Sequence, residues 1–176
     1  MKIIAIDPGD KNLAIVSFDG SIFSFFFFGS VTEGKNKKQS LADAMSRSHG
    51  TLMETLEKIF QSFETNGCVA FIERQRSMKM FGIAGCVAAI CYRHNIPVMK
   101  FNPLLKLQQF KNGEKMSHYQ NKKLAVRVVN EILTADNCSF LDRFQELKKK
   151  DDVADCVLMI NFITKNPGRK WSFFHE

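Results

Sequence analysis

Apolar positions in this chain follow two periods, and the change from one to the other marks out the elements. KIIAID (Lys2–Asp7) is a β-branched run ending on an aspartate, which predicts a buried strand; Pro8-Gly9 then supplies turn chemistry. LAIVSFD (Leu13–Asp19) predicts a second strand, and DGS (19–21) a hairpin into SIFSFFFFGS. The four consecutive phenylalanines Phe25–Phe28 predict a strand packed on both faces, with an aromatic platform for bases as the rival reading. The opening is thus an antiparallel three-stranded meander.

From Gln39 to about Phe63 the apolar residues recur at threes and fours, predicting a helix that Gly50 can interrupt. CVAFIE (Cys68–Glu73) is a short buried strand ending on a glutamate, and FGIAGCVAAICYRHN (81–95) a helix of small apolar residues. Its Gly82, Ala84, Gly85, Ala88 and Ala89 allow close helix–helix approach, within the fold or across a dimer. IPVMKFNP predicts a further strand bracketed by Pro97 and Pro103. NGEKMSHYQNKK reads as a flexible loop and NKKLAVRVVNEIL as an amphipathic helix with Leu124, Val128, Ile132 and Leu133 inward. DDVADCVLMINFITK is the last helix, and Trp171, Phe173 and Phe174 in the tail dock on the core. The order predicts one α/β domain over residues 1–176 with a mixed sheet.

Composition narrows the class. With 45% hydrophobic and 24% charged residues, the 176-residue chain is globular and large enough for a real core. No apolar run reaches the roughly 20 residues a bilayer span needs, and Asp7 falls too early for a signal-peptide apolar region. The five cysteines, Cys68, Cys86, Cys91, Cys138 and Cys156, show neither CxxC pairs nor zinc spacing and read as reduced thiols of an intracellular, soluble protein. The formal net charge of +7 favours a polyanionic partner. His49, His94, His118 and His175 are scattered and form no ligand cluster.

The carboxylates carry the sharper chemistry. Asp7 and Glu73 each end an apolar strand, where an acid needs a partner or a metal. Each has a structural alternative: Asp7 as a turn-initiating aspartate, Glu73 as the ion-pair partner of Arg74 or Arg76. Asp151 and Asp152 suit a helix start through capping and the dipole. Asp155, inside an apolar stretch, has no such explanation, and either Asp151 or Asp152 shares its helix face. Together these residues form a hard oxygen-ligand set suited to Mg²⁺ or Mn²⁺. Two such ions can activate water and stabilise the leaving oxygen of a phosphodiester.

In order, IDPGDKNLA around Asp7, FIERQ (71–75) and DDVADCVLM (151–159) resemble the three acidic motifs of RuvC-type Holliday junction resolvases, in the poxvirus and large-DNA-virus branch of the ribonuclease H-like superfamily. The resemblance runs along nearly the whole chain. It implies a ribonuclease H-like fold with a mixed five-stranded sheet, the first three strands antiparallel, flanked by helices. It implies a homodimer that nicks four-way DNA junctions symmetrically, with two Mg²⁺ ions (or Mn²⁺) per active site, at sites of viral DNA replication. Asp7, Glu73, Asp152 and Asp155 become the metal ligands. Lys122 takes the place of a catalytic lysine, with Lys123 one step away, and Lys106 or Lys111 that of a second. Lys115, Arg74, Arg76 and Lys79 join Lys106, Lys111 and Lys123 as expected DNA contacts, and Lys148–Lys150 as a phosphate-facing margin. Bacterial members carry an aromatic residue just after the second acid; here Arg76 and Ser77 follow, and Phe81 is the nearest aromatic. The rival within the superfamily is another nuclease acting on RNA or on branched replication intermediates. Outside it, DPGDKN loosely matches the phosphate loop of actin-like and sugar-kinase domains, a two-lobed fold for which the chain has room for one lobe.

Overall fold

A computed structural model describes residues 2–9, 13–29, 53–62, 65–75, 78–111, 113–135 and 140–174, with the side chains of 25–29, 78 and 79 excepted. Its strands are β1 (Lys2–Asp7), β2 (Leu13–Phe18), β3 (Phe23–Gly29), β4 (Cys68–Glu73) and β5 (Val98–Phe101). Its helices are α1 (described over residues 53–61), α2 (Met78–Arg93), α3 (His118–Ala135), α4 (Phe140–Glu146) and α5 (Asp151–Lys165).

The strands form one sheet in the order β3-β2-β1-β4-β5. The β1–β2 and β2–β3 pairs are antiparallel, β1–β4 and β4–β5 parallel, so the expected mixed sheet with an antiparallel opening is present. Gly20, at φ 108°, makes the β2–β3 turn, where Asp19 Oδ1 accepts from the Ser21 and Ile22 amides.

Side chains alternate across the sheet and separate two cores. Ile4, Ile6, Leu13, Ile15, Ala70 and Ile72 face α1 and α2, packing with Leu56, Phe60, Ile83 and Val87. Ile3, Ala5, Ala14, Val16 and Phe71 face the other way, against α3, α4 and α5. The tail closes this second layer: Trp171 stacks on Phe101 at 5.7 Å and meets Phe71 edge-on at 5.1 Å. Residues 172–174 then bond to β5 through Lys100 N to Ser172 O and Phe174 N to Val98 O. No helix among the described residues is long and apolar enough to cross a membrane.

Two local expectations change. His118–Gln120 are helical rather than loop, because Ser117 and Gln120 form a capping box. The Ser117 amide donates to Gln120 Oε1 (2.8 Å) and the Gln120 amide to Ser117 Oγ (3.3 Å). Helix α4 is an addition, held by Phe140 and Phe144, which are buried one turn apart and stacked at 6.5 Å. The Phe25–Phe28 backbone lies in β3, but the packing expected of those side chains falls outside the described residues, as do His49, His175 and most of the helix expected over 39–63.

Candidate metal centre

Strand alternation delivers the acids to one place. Asp7 follows Ile3 and Ala5 on the α5 side of the sheet, and Glu73 follows Phe71 on the same side. The parallel register sets Ile6 level with Ile72, so Asp7 and Glu73, the next residues, finish side by side at the C-terminal ends of two central strands. Helix α5 packs across β1 and β2; its Cys156 thiol reaches Ala14 O at 3.5 Å, and Asp155, the residue before, looks toward the two strand-end acids. One carboxylate oxygen from each of Asp7, Glu73 and Asp155 lies within 4.8 Å of the others.

Lys106, 7% exposed, enters this triad from the turns after β5. Its Nζ stands 2.6 Å from Glu73 Oε2 and 2.6 Å from Asp155 Oδ2. Three acids sharing one ammonium leave two negative charges uncompensated when all are ionised. Burial raises the pKa of Asp7 well above the carboxylate range, and the charges of Glu73 and Asp155 push it further. Burial also raises Glu73 and Asp155, against the opposing pull of Lys106. Burial alone would lower Lys106, but Asp155 and Glu73 overcome it and hold the ammonium above its usual range.

The donor chemistry fits a hard divalent cation. Among the described residues only carboxylate oxygens converge, with no imidazole or thiolate in the group, and the uncompensated charge equals that of one Mg²⁺ or Mn²⁺ ion.

Asp152 lies outside the triad: Lys149 bonds its Oδ2, although the Asp152 charge still acts on Asp7, Glu73 and Asp155. Asp151, read from the sequence as a helix-start charge, is more than that. It accepts a hydrogen bond from Lys122 and lies 3.7 Å from Lys149 Nζ. That bond raises Lys122, while burial works to raise Asp151 and the two lysines lower it on balance. Lys149 thus pairs with both acids while its side chain stays 41% exposed, and Lys150 bonds Leu147 O.

Of the alternative lysines, Lys106 enters the acid cluster, whereas Lys111 follows the short 3-10 turn Gln108–Phe110. Lys122 bonds an acid of α5, whereas Lys123 is exposed with its Nζ 4.5 Å from the centre of the Tyr119 ring. Lys115 and Arg74 are exposed; Arg76 and the Lys79 side chain lie outside the described residues.

Gln75 was not anticipated. Its Nε2 reaches Asp7 Oδ1 and Glu73 O, each at a long 3.4 Å. Two residues past Glu73, it continues the strand's alternation, a signal FIERQ contained. Gln75 also lines a cleft of about 480 Å³ with Arg74, Phe81, Lys100 and Phe174. Phe81 is 57% exposed and stacks on Phe174 with ring centres 6.3 Å apart.

The sheet order, the helices on both faces and the strand-end acids together define a ribonuclease H-like fold. No protein-family model matches the sequence, and no curated protein does. Solved structures match along almost the full length. The fowlpox virus Holliday junction resolvase is 17% identical, with 94% of this chain and 99% of that chain covered and a TM-score of 0.60. The same enzyme with its substrate Holliday junction is 16% identical at 94% and 98% coverage, also at 0.60. Thermus thermophilus RuvC in complex with a Holliday junction substrate is 16% identical over 98% of this chain and 99% of that one, at 0.56. At such identities the likeness establishes the fold.

Proposed function

We propose that the chain is one nuclease domain spanning residues 1–176, and that it resolves four-way DNA junctions as a Mg²⁺-dependent endonuclease. The observation that carries this reading is the convergence of Asp7, Glu73 and Asp155 at the C-terminal ends of the central strands, in the fold shared with two resolvases. Bound there, Mg²⁺ would supply an activated water and charge stabilisation at the scissile phosphate. Asp7, Glu73 and Asp155 would hold the first ion, and Asp152, whose charge acts on all three, would complete the set for a second. Lys106 and Lys122 offset charge developing on the phosphate. Lys111, Lys115, Lys123, Arg74, Arg76 and Lys79 track the DNA backbone.

Symmetric nicking needs two sites, and the outer face of α2 supports a homodimer. Ala84 and Ala88 are buried within the subunit, but Phe81, Ala89 and Tyr92 are exposed on the other face, and a Cβ at Gly85 would meet nothing within 4 Å. Four-way junction, flap, linear duplex and RNA–DNA hybrid substrates, compared side by side in Mg²⁺ and in EDTA, test the reading. The expected result is metal-dependent, paired nicks in the junction alone. Preferential cleavage of flap or hybrid would select the other ribonuclease H-like activities, and cleavage undiminished by EDTA would remove the metal site.

A further inference from the structure

The two carboxylates that hold the Lys106 ammonium at 2.6 Å belong to the triad whose oxygens suit a divalent cation. An ammonium at that distance uses carboxylate lone pairs and offsets their charge, and a hard cation needs both. Lysine and dication therefore draw on one resource. The Lys106 backbone is held by successive turns after β5, Leu105 N to Asn102 O and Gln108 N to Leu105 O, so the side chain alone has to move. Its four-carbon stem is flexible, and its charge is a point charge with rotatable donors, unlike the fixed fork of an arginine.

We propose that Lys106 is a displaceable counter-ion: it balances the buried acids, leaves Glu73 and Asp155 when a divalent metal enters, and so presents its ammonium to the incoming phosphate only in the loaded site. This rests on the metal-site reading above and adds an order of events to it. A lysine that stays clamped to both acids with the metal bound is the alternative.

Amine acylation of the wild-type protein, mapped by peptide mass spectrometry across a Mg²⁺ titration, separates the two. Lys106 should be protected in EDTA and react several-fold faster at saturating Mg²⁺, while exposed Lys115 reacts equally in both. Calorimetry run in parallel should show Lys106→Met binding Mg²⁺ at least about tenfold more tightly, because a positive charge that competes with the cation for the same acids has been removed. Unchanged protection of Lys106 with Mg²⁺ bound, or weaker Mg²⁺ binding by Lys106→Met, would overturn the counter-ion role and leave the metal site standing. Absence of Mg²⁺ binding by both proteins would overturn the two together.

Discussion

Asp155 and Asp151 stand one turn apart on α5, yet the fold treats them in opposite ways. Asp155 joins Asp7 and Glu73 around the single ammonium of Lys106, and burial raises its pKa. Asp151 meets Lys122 and Lys149 at the helix start, and its pKa falls. The inner cluster has more acid than base and is partly buried. The outer one pairs Asp151 and Asp152 with two lysines that are themselves 41–43% exposed. Sharing a helix face is therefore not sharing an environment. Demand for a further cation arises where burial and charge excess coincide, and α5 carries both situations within five residues.

The sharpest way to break this comparison is to remove one charge from each cluster and measure junction cleavage. Asp7→Asn should lower the rate in Mg²⁺ by more than the about 100-fold that loss of an outer-shell partner costs, with junction binding retained. Lys122→Met, in the outer cluster, should fall within about 10–100-fold. Gel-based cleavage and binding measured on the same preparations check both. A near wild-type rate for Asp7→Asn would remove the inner cluster from the chemistry.

The backbone placement of that cluster was legible in the sequence. Apolar runs ending on Asp7 and Glu73 are strand ends because an acid cannot continue a buried run, and α5 spans the stretch that its pattern predicted. The lysines were not legible. Lys106 and Lys111 lie in a segment without period, where turns decide which side chain points inward. Lys149 has a long, flexible side chain that settles on the nearest acid, a choice no spacing rule encodes. The start of α3 was readable from Ser117 and Gln120 as a capping box and was obscured by the surrounding polar residues.

Stability offers a second and smaller contrast. Asp7 has a folded pKa well above its unfolded one, so in metal-free buffer it carries no penalty below its ordinary value near 3.8 and costs stability as pH rises through the folded value. Asp7→Asn removes that cost. In EDTA at neutral pH the variant should melt higher than wild type, with about 2–4 °C for each kcal/mol relieved. The gain should shrink as pH falls and should narrow when Mg²⁺ stabilises the wild type. Thermal melts across pH, with and without Mg²⁺, read all three. A variant that melts lower than wild type in EDTA would mean that the inner acids are already balanced.

Asp151 should show the opposite sign and the smallest effect. Its folded pKa is depressed, so it contributes stability above the unfolded value, and that contribution is lost as pH falls through the folded value. Its partner Lys122 is 43% exposed, which discounts the pair for solvent screening. Asp151→Asn should therefore cost less than about 1 kcal/mol at neutral pH. The cost should diminish in high salt and disappear once both folded and unfolded carboxyls are protonated. Denaturant melts of variant and wild type at low and high salt, from neutral pH downward, measure the difference. A loss that persisted unchanged in high salt would place Asp151 with the buried acids and erase the distinction between the two ends of this helix turn.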